Sequence, residues 1–579
     1  MRKGSGLIIL FIISLFFCLP VDLNAEWSTD PEQNNLICSA INNQHEPCIA
    51  GDGNGGAVIC WRDYRDEESI FGGDIYAQYI DFTGNIGWQQ DGVSVFSGIN
   101  GQFQPRIINS GTGDNIIIWN SNLGGFYNYD IYAQGMDFNG NLLWNTNGIV
   151  ITDTTGTEFN HVMISDGNGG VIICWQHFLG FGSELNLYAQ HLDNNGLTLW
   201  SGDGNVVCEA TENQMDPAIC EDGNGGAIIA WLDDRNEDNS PDIYAQRISA
   251  EGAVQWTADG LMICGNSSPQ SEPRICSDGN GGAVIIWKDN RNDEGDIYAQ
   301  RVDNTGQLFW TNDGIPVCSV NGAQSNPQIV YDNNEGVIVV WEDHRYGMES
   351  DIFAQKVNLD GSLAWNADGI PVNTLADNQI EPRIICDEES YAIIVFRDYR
   401  SDEWGDIYAQ RLDPAGNTLW TVNGEEVCTA SGEQSWHRIT ADGSSGAVIT
   451  WADNRDSELD IYAQWIDLNG NLGGESDSDE NTCPGLTDFW LGQNQPNPFN
   501  PSTTISYYVG DGSRIEISLF NLRGQKLITL VDTYRKIGTY QVSWDGKNSV
   551  GDRVDSGLYF YKLKANGSDK VVQKMILLK

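Results

Sequence analysis

A repeat of 54 to 56 residues constrains this chain more than any other feature. The signature Asp-Ile-Tyr-Ala-Gln recurs eight times with small changes, its aromatic residue falling at Tyr76, Tyr132, Tyr188, Tyr244, Tyr298, Phe353, Tyr408 and Tyr462. So regular a period fixes the architecture before any single motif is read, because each unit buries its apolar faces only against its neighbours. The most complete copy, Pro273 to Cys318, reads as four short strands. The first ends in Asp278-Gly-Asn-Gly-Gly, a turn whose glycines take positive φ cheaply. The second, Ala283 to Trp287, is apolar without alternation, as expected of a strand covered on both faces. An acidic loop precedes the third strand, which carries the signature, and a second turn leads into the fourth, ending at Cys318.

Four antiparallel strands per unit predict an all-β fold in which each repeat is a β-propeller blade, since solenoid coils have shorter periods. Eight units predict eight blades. Seven carry a Trp before the fourth strand, from Trp88 to Trp420, but the last unit ends in Gly470-Asn-Leu-Gly-Gly. Asn35 to Ser39 resembles the fourth strand Ile315 to Ser319, so the N-terminal strand is expected to complete the last blade and to hide its open edge. Trp27 is the candidate for the missing Trp.

The flanks differ in composition. Arg2 and Lys3 followed by the apolar run Leu7 to Leu19 and Ala25 predict a signal peptide over residues 1–25, and no other run has the length of a membrane span. The charge of −50 is confined to the part before Gly485; the rest carries 12 Lys and Arg against 8 Asp and Glu. Such a surface repels nucleic acid, which is excluded as a partner, along with anionic lipid. Twelve of the 13 cysteines remain after the signal peptide. Cys38/Cys48, Cys208/Cys220 and Cys264/Cys276 have bridge-like spacing, but other units replace one member, and buried thiols are the preferred reading.

The repeats span residues 26–474, an acidic linker 475–488, and a second domain 489–579. The last shows period-2 strands between Gly and Asp turns, the pattern of a β-sandwich. Its motifs are Q-N-Q-P-N-P-F-N-P-S-T-T-I (493–505), L-F-N-L-R-G-Q-K-L (519–527), W-D-G-K (544–547), S-G-L-Y-F-Y-K-L (556–563) and the ending K-M-I-L-L-K. In combination these resemble the C-terminal sorting domains of type IX secretion cargo, which share an immunoglobulin-like, FlgD-like fold. The resemblance implies export through the periplasm to the cell surface or medium, with the outer-membrane secretion machinery as partner.

Residues that carry chemistry are scarce. Six units hold Asp-x-Arg after the aromatic residue of the second strand, as in Asp289 and Arg291. A ring of arginines would suit anionic sugars, but a set repeated in six units reads as scaffold, an Arg–Asp tie closing each second-to-third-strand hairpin. The acidic loops make Asp289, Asp293, Glu294 and Asp296 candidate calcium ligands, because calcium takes six to eight oxygens; no cofactor is required. His161, His177 and His191 share the third unit, but antiparallel order puts His191 at the far end from the others. No nucleophile–base motif is present.

The second and third units depart most from the pattern. After Trp119 and Trp175 they lose Asp-x-Arg and carry aromatic, glycine-rich loops with Leu123, Phe126, Tyr127, Tyr129, Phe178, Leu179 and Phe181. Of these, Phe126, Tyr127, Tyr129, Phe178 and Phe181 are the candidate contacts for a glycan or protein ligand. The sequence therefore predicts an exported eight-bladed β-propeller followed by an immunoglobulin-like sandwich, acting as a binding or adhesion module. The competing reading is a secreted glycan hydrolase or lyase on the same scaffold.

Overall fold

The computed structural model describes residues 26–66, 72–98, 101–111, 113–122, 128–152, 155–180, 182–236, 240–292, 294–473, 490–491, 494, 499, 502–509, 513–535, 538–566 and 568–577. The signal peptide and linker expected from sequence fall outside these residues. Among the described residues every regular element is a strand, and the repeats form eight four-stranded antiparallel sheets, a propeller-like arrangement. In the sheet of the best copy the strands are Gln270–Ser277, Ala283–Asp289, Asp296–Val302 and Ile315–Cys318, adjacent in chain order. The first strand of each sheet contacts the first strand of the next all the way round, including the last (Gln434–Ala441) against the first (Gln44–Gly51). The first strands therefore line the axis of a closed ring.

Asn35–Cys38 pairs antiparallel with the third strand of the last sheet, Leu36 opposite Tyr462, so the two ends of the repeat array meet in one sheet as the sequence predicts. Trp27 is buried and its Nε1 donates to Phe82 O at 3.1 Å. This is the contact every other unit makes: Trp88 donates to Phe138 O, Trp256 to Asn304 O and Trp420 to Leu468 O, each in the next sheet. An indole thus ties each unit to its successor, and Trp27 supplies the eighth tie.

The shared signature has a structural explanation throughout. The buried Gln300 accepts from Arg301 N and Trp310 N and donates to Thr311 O, pinning the loop before the fourth strand. The arginine of Asp-x-Arg, however, does not bridge its own hairpin as expected from sequence. Arg291 grips its near neighbour Asp289 through Nε (2.8 Å) and Nη2 (2.6 Å), and Nη2 also reaches Cys264 Sγ (3.3 Å) and Asp313 O (2.8 Å). Its guanidinium lies 3.9 Å from the centroid of the Tyr298 ring, a cation–π contact. Trp287 Nε1 donates to the same carboxylate at 2.9 Å. Cys264 belongs to the preceding sheet, so the arginine staples one sheet to the last strand of the one before it.

Asp296, opposite Asp289 in the ladder, stays outside this staple and pairs instead with Asn292 Nδ2 at 2.6 Å. Like charges facing each other explain that choice. In the last sheet Asp460 faces Asp453, and burial, with Asp456, Glu458 and Asp453 nearby, pushes its carboxyl up to about 7. Where the fourth strand comes from the N-terminus, Arg455 reaches Asn34 Oδ1 (3.0 Å) and Glu32 O (2.9 Å), extending the staple across the closure.

All cysteines among the described residues are free thiols, including the three pairs with bridge-like spacing. Burial pushes Cys208 and Cys264 up to about 12, which makes them packing groups and staple acceptors rather than nucleophiles.

The C-terminal segment forms two sheets. One orders Trp490–Leu491, Thr503–Val509 and Gly538–Trp544; the other orders Lys526–Arg535, Ser513–Asn521, Gly557–Ala565 and Ser568–Leu577. They share one apolar core around Tyr507, Ile517, Trp544, Tyr561 and Met575.

Candidate functional site

The staple, the signature Gln and the indole tie are spent on holding the sheets together, so a site is sought where the sheets differ. The first strand of every sheet carries a bulge, a register shift such as that between Ser271 and Arg274. At each bulge a non-glycine residue takes positive φ: Glu46, Gln104, Asn160, Asp216, Glu272, Asn326, Glu381 and Trp436, all between 49° and 56°. That conformation is costly for such residues, and bulges re-aim side chains. Eight of them around the axis turn a ring of varied side chains toward one mouth, the end that also carries the loops between second and third strands.

The variation there is not random. Trp436, more than a third exposed, stacks on His45 with centroids 5.2 Å apart, and His45 lies 5.2 Å from Tyr64. Arg62 spans Tyr64 (4.7 Å) and Phe103 (5.1 Å), and Phe103 meets Tyr129 edge-on at 5.2 Å. These residues come from the last, first and second sheets and form one aromatic–cationic row along the mouth. Of the corresponding positions opposite, Ser271, Glu272, Ser325 and Glu342 are small or acidic, while Met215, Leu232, Lys288 and His344 are larger but include no aromatic ring paired with a cation. Of the sequence candidates, Tyr129 belongs to this row. Phe178 is at the end of its strand, paired with Thr157 and Leu185. Leu123, Phe126, Tyr127 and Phe181 fall outside the described residues. The sequence reading missed Trp436, His45, Arg62, Tyr64 and Phe103; the signal was present, since these positions vary from unit to unit beside invariant neighbours.

The second and third sheets replace the staple in two ways. In the second, Phe96 takes the place of the staple's cysteine and packs against Trp119 and Tyr132 at 5.5 and 6.1 Å. In the third, Glu158 stands where seven units have Gln, and His177 where six have Asp. His177 Nδ1 lies 2.7 Å from Glu158 Oε1, and Thr152 donates to Oε2 at 3.1 Å. The pair is buried and unique to one sheet. His161 contacts Asn120 and Gln104 O. His191 bonds Asp166 at 2.9 Å near the opposite end, in the position where Arg301 bonds Asp278, so the three histidines do not converge.

The calcium candidates also separate. Asp289 already accepts from Trp287 and Arg291, Asp296 from Asn292, and Glu294 is exposed; Asp293 falls outside the described residues. Among the described residues no three His, Cys, Asp or Glu side chains stand with metal-ligand spacing. A cavity of ≈ 710 Å³ opens at the end opposite the mouth, between the turns at Asp166–Gly170 and Gly223–Gly226. It is lined by turn backbone and the Asp166–His191 tie, which the other units repeat with other partners.

At the mouth His437 replaces the proline of six other units. Its Nε2 donates to Glu381 O at 2.7 Å, and burial, then the charges of Arg383 and Arg438 and more weakly Arg397, hold it well below its usual value. The ring stays neutral in the folded protein while the unfolded chain binds a proton below about pH 6.5. Stability from this residue is thus fully present above that pH and lost as pH falls, by about 1.4 kcal/mol per pH unit. His437→Pro is expected to flatten the fall in unfolding midpoint between about pH 6.5 and 5; chemical denaturation at several pH values that shows the original slope would refute this.

Residues 495–578 match the family described as Secretion system C-terminal sorting domain. None of the curated proteins compared with the chain matches it. Similar solved structures include an ulvan lyase of a new polysaccharide lyase family bound to a GlcA–Rha3S repeat, at 10% identity and TM-score 0.43, covering 76% of this chain and 97% of that one. An α-L-arabinanase from Penicillium chrysogenum shows 13% identity and TM-score 0.33 over 56% and 97%. A protein of unknown function from Dyadobacter fermentans shows 10% identity and TM-score 0.34 over 67% and 96%. No helix among the described residues is long and apolar enough to cross a membrane. The chain carries a type IX secretion C-terminal sorting domain and is a secreted or cell-surface protein.

Proposed function

We propose that the exported protein is a glycan-binding module. Its repeats (26–474) form an eight-bladed β-propeller closed by the N-terminal strand, and an acidic linker (475–488) joins them to an immunoglobulin-like sorting domain (489–579). Residues 1–25 act as the signal peptide that starts export. The observation that carries this reading is the aromatic–cationic row of Trp436, His45, Tyr64, Arg62, Phe103 and Tyr129. Flat aromatic faces cover the apolar faces of sugar rings, and Arg62 supplies directed donors to hydroxyl or carboxylate groups. Phe126, Tyr127, Phe178 and Phe181 are further candidate contacts for the ligand on the strength of the sequence. Calcium is an optional ligand of the acidic loops.

One observation favours the enzymatic alternative, the Glu158–His177 pair, because an acid–base pair confined to one blade is what hydrolysis or elimination requires. It supports that reading weakly. Both Glu158 oxygens already accept from neighbouring side chains and the residue is wholly buried, whereas a general acid or base must reach the substrate. The test is a glycan and protein binding screen of the mature chain, with and without calcium, run beside an assay for polysaccharide cleavage. Retention of a glycan without cleavage is the expected result. Cleavage that is lost in Glu158→Gln with folding unchanged would replace the binding reading with the enzymatic one.

A further inference from the structure

Just below the aromatic mouth, four of the eight sheets carry arginine at one register position of the first strand: Arg106, Arg274, Arg383 and Arg438. Each follows directly on the proline or histidine of its bulge. Because the first strands line the axis, these four positions ring it. Arg383 feels the charges of Arg438, Arg274 and Arg106, which come from sheets up to three places away around the ring. Burial and this repulsion lower Arg383 well below the usual arginine value, and burial lowers Arg274.

Nothing nearby neutralises them. Among the described residues the ion pairs all lie elsewhere. Arg274, Arg383 and Arg438 each donate to the carbonyl of the preceding residue at 2.9 to 3.0 Å, and Arg106 reaches Cys48 Sγ at 3.7 Å. The rim carboxylates act on them only at a distance: Glu272 and Asp216 on Arg274, Glu381 on Arg383. Two of these are occupied, Glu272 by Asn326 N at 2.5 Å and Asp216 by Asn160 Nδ2 at 3.4 Å. In a chain of net charge −50, four guanidiniums without an ion pair at one register position around the axis are out of place as scaffold. Each costs desolvation and repels the others.

We propose that this ring is an oxyanion site holding a sulfate or carboxylate group on the axis. Planar guanidinium forks bind the two or three oxygens of such a group in pairs, which a spherical halide does not exploit. The group arrives either as a free ion or as a substituent of a chain lying across the mouth. The inference stands on the charge arrangement and is independent of glycan binding, since its first test uses no sugar.

The test is titration calorimetry and thermal unfolding of the mature protein with sodium sulfate at constant ionic strength, with sodium chloride as the balance salt. The unmodified protein is expected to bind sulfate, and its unfolding midpoint to rise over the chloride control. Arg383→Gln and Arg438→Gln are each expected to weaken binding about tenfold, with the sulfate-free midpoint unchanged or raised because repulsion is relieved. Equal responses to sulfate and chloride would overturn the proposal, as would variants that bind sulfate as tightly as the parent. Comparison with a sulfated and a desulfated polysaccharide then separates the sources: competition by the sulfated chain assigns a glycan-borne group, and sulfate binding without competition assigns a free ion.

Discussion

Asp289→Ala is expected to destabilise its blade by about 3 kcal/mol or more, the cost of removing one partner from a buried pair. The carboxylate is fully buried and accepts from Trp287 Nε1 and from the backbone, Nε and Nη2 of Arg291. Its loss leaves the indole N–H without an acceptor and frees the arginine that staples Cys264 and Asp313. The second unit shows how the same space is filled without charge, with Phe96 against Trp119. Copying it, with Cys264→Phe, Asp289→Ser and Arg291→Leu together, is expected to recover part of the loss, because a well-packed apolar group often replaces a buried ion pair at little cost while the indole N–H stays without an acceptor, as at Trp119. The check is hydrogen exchange across Ala283–Asp289, which follows one blade where a repeat array does not unfold in a single step. Unchanged exchange in Asp289→Ala would show that the staple is ornamental.

The second large effect concerns closure. Deleting residues 26–40 removes the strand paired with Tyr462, the Trp27 tie to Phe82, and the partners of Arg455. Re-exposing the sites filled by the buried Trp27 and Ile37 costs about 4 kcal/mol in apolar burial. It also leaves the third strand of the last blade as an unpaired edge, a template for association. The truncated protein is expected to unfold several degrees lower and to oligomerise in light scattering coupled to gel filtration. A monomer with the parent melting curve would show that the ring does not depend on its N-terminal strand.

Closure was legible in the sequence because it rests on counting: seven tryptophans before fourth strands, one strand short at the end, and a look-alike strand with Trp27 at the start. The staple was harder. Arg291 and Asp289 are neighbours in sequence, but the group that gives the arginine its role, Cys264, lies 27 residues earlier in another sheet. The pattern was nonetheless written in the repeats, where Cys38, Cys208, Cys318 and Cys428 precede Arg65, Arg235, Arg345 and Arg455 by the same interval. Asn373 takes the cysteine's place before Arg400, and units lacking the arginine carry Phe96 or Thr152 there. The mouth was the least legible part. Attention to the longest departures, the loops after Trp119 and Trp175, passed over single substitutions at the first-strand bulges. Only the ring brings Trp436 beside His45, whose positions are nearly 400 residues apart.

The central claim is that residues shared between blades build the ring and residues that differ at the mouth bind. It is tested most directly by restoring the repeat pattern there, with His45→Ser, Tyr64→Asn, Phe103→Ser and Trp436→Glu in one protein, each replacement being a residue other blades already hold at that position. Binding of the glycan retained in the screen is then measured by titration calorimetry beside thermal unfolding. The account predicts an unfolding midpoint close to that of the parent and affinity reduced by about tenfold or more. Parent-like affinity in this protein would contradict it.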